Sequence, residues 1–231
     1  DELESHVLPF QLDLSADALT AEDIATLKGL EKRAAATALG SLASLAKINE
    51  LDHLGGGLEL IPSLLMTMAV SDTTTKQYTV EHAHTSIGYY AALAALGFID
   101  SATVVEGFRR GLDIAGHVSW LPGGTQMNGG RLGGMIPVAV GQALAAKSIH
   151  GEDAMTICHC GDAGWISGQA LNGFNGADLH GAPICFVMHR NGIQLSGSCK
   201  SIMDKDPRPV IESLGIEIIE ITSLHDKQAL F

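Results

Sequence analysis

Three short apolar runs, AMTICHC (154–160), PICFVMH (183–189) and IEIIEI (216–221), alternate with two segments of helical character, ISGQALNGFNGADL and RPVIESLG. Runs this short read as buried strands, and strand–helix–strand–helix–strand is the pattern of parallel βαβ units with right-handed crossovers. The alternation predicts an α/β protein built on a doubly wound, mostly parallel sheet flanked by helices. An open sheet of that kind accommodates 231 residues. No repeat, linker or low-complexity tract interrupts the chain. Residues 1–231 therefore read as a single domain, with 1–50 as an N-terminal helical extension.

Upstream, Ile24, Leu27, Leu30, Ala34, Ala38, Leu42, Leu45 and Ile48 recur at three- and four-residue steps, which predicts one amphipathic helix over 21–48. Thr20 followed by Asp23 has the spacing of a capping box. The three glycines of DHLGGGLELIP place that stretch outside any helix, and IPSLLMTMAV reads as a buried helix starting near Pro62. The segment TVEHAHTSIGYYAALAALGF runs from a polar turn into an Ala-rich helix. A long glycine-dense loop follows, GHVSWLPGGTQMNGGRLGG, and then a helix with Pro137 near its first turn.

A net charge of -12 argues against nucleic acid as a partner, because phosphate binding needs clustered Lys and Arg. Any anionic cofactor would have to be held by a metal or by backbone amides. No apolar run reaches the roughly 18 residues of a membrane span, and no signal-peptide pattern opens the sequence. The first residue is Asp, which points to a trimmed start. Of the four cysteines, Cys158, Cys160 and Cys185 fall on strand-like segments as small buried hydrophobes do, which fits a reducing, cytoplasmic setting. The Cys158-His159-Cys160 triplet is a poor zinc half-site. Strand alternation separates the thiols from the imidazole, and no second CxxC or HxxxH accompanies it.

In open parallel sheets, ligands bind beyond the carboxyl ends of the strands. Asp162 and Asn191 follow AMTICHC and PICFVMH at such ends, 29 positions apart. If those strands lie close in the sheet, the two side chains converge. Asp, Asn and a backbone carbonyl are hard oxygen donors that suit magnesium or calcium. Gly161, Gly164 and Gly192 would let a bulky anion approach the backbone, and the helix beginning near Ile166 would direct amides toward it. The plainer reading, two turn residues of types favoured in loops, stands beside it.

The stretch GDAG…RNGIQLSG resembles the thiamine diphosphate signature, and its closing part is most similar to that of transketolases. Three upstream segments resemble transketolase motifs in the family's order: DHLGGGLELIP, EHAHTSIGYYAALAALGF and GHVSWLPGGTQMNGGRLGGMIPVAVGQALA. The resemblance covers roughly 50–231. It implies a diphosphate-binding domain in which Asp162, Asn191 and the Ile193 carbonyl hold Mg²⁺, with Ca²⁺ as an alternative ion. Gly130, Leu132, Gly161, Ala163 and Gly164 would contact the cofactor. His53, His84 and His117 would exchange protons with substrate hydroxyls. His82, His159 and His189 match no motif and read as structural. The implied reaction is transfer of a two-carbon ketol unit between sugars, commonly phosphorylated.

Ala163 stands where the family has Gly, and Ser167 where transketolases carry a glutamate that joins two cofactor sites. Gly134-Met135 also departs from the motif. Nothing in the sequence resembles the pyrimidine-binding domain that activates the cofactor. The chain is therefore expected to be inert until a pyrimidine-binding domain or subunit joins it, in a dimer or heterotetramer. Two rivals remain. One is the decarboxylating component of a 2-oxoacid dehydrogenase, toward which Arg190-Asn191-Gly192 leans. The other is a degenerate, non-catalytic cofactor-binding subunit, which Ala163 and Ser167 motivate.

Overall fold

The computed structural model describes residues 10–50, 54–111, 113–194 and 197–231. Its helices and strands, in chain order, begin with α1 (Ala21–Ala46), α2 (Leu54–Val70), β1 (Lys76–Val80), α3 (Ser86–Ala95) and α4 (Ser101–Gly107). There follow α5 (Met135–His150), β2 (Met155–Gly161), α6 (Asp162–Trp165), α7 (Gly168–His180) and β3 (Ile184–His189). The chain closes with β4 (Ile193–Gln194), β5 (Gly197–Ser198), α8 (Arg208–Glu212) and α9 (Lys227–Leu230). These elements sort into two compact units. One takes the described residues up to Thr73, with Ala83–Asn128 and Ile221–Phe231; the other takes Thr74–His82 and Gly129–Glu220.

The first unit is helical. α1 starts with the expected capping box: Asp23 N–H donates to Thr20 Oγ1 at 3.1 Å, and Thr20 N–H donates to Asp23 Oδ2 at 3.0 Å. Leu27, Leu30, Ala34, Ala38 and Leu45 are its buried stripe, the leucines each contributing roughly 2 kcal/mol of apolar burial. α1 packs against α2, α3 and α4, so the segment read as an extension is built into a helical core.

The glycines expected outside any helix lie within α2, and Pro62 is the ninth of its residues rather than near its start. The reason is a close approach of backbones. A Cβ on Gly57 would run into the Ile87 side chain, and one on Gly88 would overlap the Gly57 carbonyl group. Only glycine at both positions lets the segments touch, and that packing outweighs a helix-propensity cost of about 1 kcal/mol per glycine.

The second unit holds a parallel three-stranded sheet in the order β1-β2-β3, with Val80 beside His159 and Gly161 beside His189. The expected parallel α/β class holds, but its strands are not all the expected ones. β1, KQYTV, begins upstream of the segment read as a polar turn and runs into it. Its pairing with β2 turns a short, half-polar pentapeptide into a strand. Conversely, residues 216–220 of IEIIEI join no ladder. Ile216 and Ile218 lean on the apolar cluster while Ile219 is 81% exposed, so the alternation is satisfied by side-chain packing alone.

That cluster joins Cys158 and Cys160 of β2 to Ile136 and Ala139 of α5, Trp165 of α6, Ala170 and Phe174 of α7, and Ile211 of α8. His159 faces the other way, as strand alternation requires. α7 is capped by the Ser167 hydroxyl, which accepts from Ala170 N–H at 3.1 Å, and it ends at Gly181 in the left-handed region.

Candidate functional site at the carboxyl ends of the strands

β2 ends at Gly161, and Asp162 opens α6; β3 ends at His189, just before Arg190 and Asn191. Neighbouring parallel strands bring these ends together. Asp162 Oδ2 accepts the Gly192 N–H at 3.0 Å and the Cys199 Sγ–H at 3.3 Å. Gly192 has φ +74°, a conformation that favours glycine. Asn191 Oδ1 accepts the Ile193 N–H at 2.9 Å, which closes a side-chain-to-backbone turn. Ile193 then pairs with Ser198 in the small β4-β5 ladder, and Cys199 N–H donates to the Gly192 carbonyl. Asp162 and the Asn191-Gly192-Ile193 turn thus form one structural group, despite their separation in sequence.

Beside this group lies a second set of turns. Gly130 and Gly133 have φ +144° and +77°. A Cβ at Gly133 would overlap the Ser167 hydroxyl and stand 3.0 Å from the Gly164 carbonyl. Gly133 N–H donates to Glu81 Oε1. Glu81 follows β1, its own N–H bonded to the His159 carbonyl at 2.8 Å, and it is 0% exposed. A Cβ on Gly164 would stand 2.5 Å from Glu81 Oε2. Burial pushes the Glu81 carboxyl up to about 7, opposed by hydrogen bonds from the backbones of Gly133 and Gly161. Of the other expected contacts, Leu132 is 42% exposed, and Gly161 and Ala163 are half-buried. Sequence reasoning misses Glu81, because the half-polar KQYTV before it gives no strand signal.

Three imidazoles adjoin these turns. His159 Nδ1 and His189 Nε2 are 3.2 Å apart, and the rings of His82 and His189 lie 5.2 Å apart. Burial, with His189 beside it, holds His159 well below the usual imidazole range, so it is neutral near pH 7. One ring of the His159–His189 pair must donate and the other accept.

His84 and His117 belong to the helical unit. His84 is half-buried in the turn before α3, and His117 is exposed. Val118 N–H donates to the Ala83 carbonyl at 3.0 Å, which sets the two histidine-bearing segments side by side. Two tyrosines that carry no sequence signal hold this loop. Tyr90 OH donates to the His117 carbonyl at 3.0 Å and accepts Ser119 N–H, while Tyr89 OH donates to the Ser119 carbonyl and accepts Thr125 N–H. His53 lies outside the described residues.

A divalent ion and an anion fit these donors. Among the described residues, no three His, Cys, Asp or Glu side chains are grouped to hold a metal. An ion at Asp162 would therefore draw on amide and carbonyl oxygens and on its ligand's own oxygens, the hard set that magnesium prefers. Gly161 and Gly192 leave room for an anion to approach the backbone, whereas Glu81 and Ser167 close the space beside Gly164 and Gly133.

The described chain superposes on a transketolase variant from Pichia stipitis with a TM-score of 0.75, at 22% identity over 87% of this chain and 33% of that one. Transketolase from Campylobacter jejuni gives a TM-score of 0.71 at 22% identity, over 87% of this chain and 34% of that one. The fold is the transketolase fold. Residues 124–216 match the dehydrogenase E1 component family. Among curated relatives, the alpha chain of a pyruvate dehydrogenase E1 component from Rickettsia prowazekii is 27% identical over 80% of this chain and 56% of its own. One subunit of an apulose-4-phosphate transketolase from Actinobacillus succinogenes is 30% identical over 62% of this chain and 52% of its own. The chain spans about half the length of these relatives. The resemblance read from the sequence therefore stands, and the relatives divide between E1 and transketolase subunits. No helix among the described residues is long and apolar enough to cross a membrane.

Proposed function

We propose that the chain is the diphosphate-binding part of a thiamine diphosphate- and magnesium-dependent enzyme that moves a two-carbon ketol unit between sugars or sugar phosphates. The observation that carries this reading is the bond from Gly192 N–H to Asp162, which unites the two turns that would hold the metal. Asp162, Asn191 and the Ile193 carbonyl would hold Mg²⁺, and the amides around Gly161 and Gly164 would take diphosphate oxygens. Gly130 and Leu132 would lie against the cofactor ring. When bound, thiamine diphosphate supplies the electron sink that lets a bond beside a carbonyl break. The resemblance assigns His53, His84 and His117 the exchange of protons with substrate hydroxyls, a task suited to imidazoles near neutral pH. Activity requires a pyrimidine-binding domain or subunit.

Calorimetry of the chain with thiamine diphosphate and Mg²⁺ tests this. Metal-dependent binding that Asp162→Ala abolishes is the expected result, and a wild-type chain that binds no cofactor sinks the proposal. The match of residues 124–216 to the E1 family favours a second reading, decarboxylation of a 2-oxoacid. With the partner subunit present, ketose cleavage or carbon dioxide release from a 2-oxoacid separates the two.

A further inference from the structure

The reaction proposed above gives Glu81 no part, yet it is the buried acid on which the glycine turns of the sheet unit converge. Oε1 accepts the Gly133 N–H in the turn before α5. Oε2 is buried with no hydrogen-bond partner among the described residues and stands where a side chain on Gly164, in α6, would go. The Gly161 backbone, at the end of β2, also lowers the pKa of the carboxyl as a whole. One carboxylate thus meets both the turn assigned to the diphosphate and the turn that carries Gly130 and Leu132. The titratable groups facing it are Cys158 and Cys160 on β2, whose thiols burial and the Glu81 charge keep protonated, and His82 is next in the chain. Across from it, Ser167 is neutral. Among the described residues no lysine or arginine balances it. A buried acid with one oxygen unmatched is an expensive way to fill space, which an apolar side chain does at lower cost.

We propose that Glu81 is a positioning residue, a strap that ties the Gly133 turn to the Gly161–Gly164 turn and so keeps the anion cradle in the shape that binds. The strap rests on reading that cradle as the diphosphate site. It acts through the backbone and touches neither substrate nor reacting atoms. Its removal leaves Gly133 N–H unpaired and frees the turn before α5, whereas a glutamine keeps an acceptor oxygen in place.

Hydrogen–deuterium exchange on the full chain, compared among wild type, Glu81→Gln and Glu81→Ala, decides the structural half. Exchange in peptides covering 129–136 and 161–167 should rise at least tenfold in Glu81→Ala and stay within about threefold of wild type in Glu81→Gln. Peptides within β3 and α7 should not change. Wild-type exchange in a folded Glu81→Ala overturns the strap. If that variant does not fold, Glu81→Asp, whose carboxylate is one methylene short, carries the same comparison. Calorimetry with thiamine diphosphate and Mg²⁺ decides the functional half. The alanine or aspartate variant should bind at least tenfold more weakly with the glutamine variant near wild type, and equal affinity in all of them overturns the positioning role. A wild-type chain that fails to bind overturns the cofactor reading instead, and the exchange comparison still decides the strap.

Discussion

Two glycine-rich loops of this molecule are held by buried side-chain oxygens of opposite character. In the helical unit, the loop from His117 to Thr125 hangs on the hydroxyls of Tyr89 and Tyr90, each of which both donates and accepts. Burial raises both phenols further, so they stay neutral at any ordinary pH. In the sheet unit, the turns around Gly133 and Gly164 meet the carboxyl of Glu81, which titrates at about 7. A hydroxyl matches two partners without charge and makes a fixed anchor. A carboxylate is a stronger acceptor but costs desolvation, and it makes an anchor whose strength follows pH.

The largest test of that contrast is the pH dependence of stability. Folding raises the Glu81 carboxyl from 4.5 to about 7, so the native state keeps a proton that the unfolded chain has released. Its stabilisation is complete below pH 4.5 and is lost as pH rises through 7, an amplitude of about 3 kcal/mol. His159 acts in the opposite sense, costing stability as pH falls below 6.5. Urea unfolding of wild type minus Glu81→Gln isolates the carboxyl; a difference that is flat from pH 4.5 to 7.5 breaks the comparison.

Gly164→Ala comes next. Its Cβ would stand 2.5 Å from Glu81 Oε2, and overpacking a closed site costs about 2 kcal/mol. In a Glu81→Ala background the space is free, and at least half of that cost should vanish in a double-mutant cycle. Additivity of the two substitutions would show that carboxylate and glycine do not meet.

Tyr89→Phe removes one donor and one acceptor and strands the buried Thr125 N–H. A loss of about 1–2 kcal/mol, the same at pH 5 and pH 8, is expected from thermal unfolding. A pH-dependent loss would erase the distinction between the loops. The smallest effect on stability belongs to Asn191→Ala. The side chain is exposed and closes a local turn, so the cost should stay under about 0.5 kcal/mol. Magnesium-dependent cofactor affinity should nonetheless fall at least tenfold by calorimetry, and unchanged affinity would remove Asn191 from the metal set.

Much of the candidate site was legible because its signals are local. Asp162 and Asn191 follow strands whose composition alone marks them, and parallel pairing of β2 with β3 brings their turns together. Glu81 and the two tyrosines were not legible. Each is defined by atoms that are distant in sequence: Gly133 and Gly164 for the first, Ser119 and Thr125 for the others. His53, His84 and His117 were placed by motif resemblance. The structure sets the segments of the last two side by side.

By itself, the amino-acid order determined the features whose energetics are settled within a few residues. These are the Thr20–Asp23 cap, the apolar stripe of α1, and the strands β2 and β3. Tertiary structure decided everything in which a segment's state depends on a distant partner. KQYTV is a strand because β2 supplies its ladder, and IEIIEI is not, because side-chain packing buries two of its isoleucines without pairing the backbone. Gly57 sits inside a helix because Gly88 meets it backbone to backbone. Hydrogen-bond pairing and close packing are non-local, and one residue's propensity of about 1 kcal/mol yields to them.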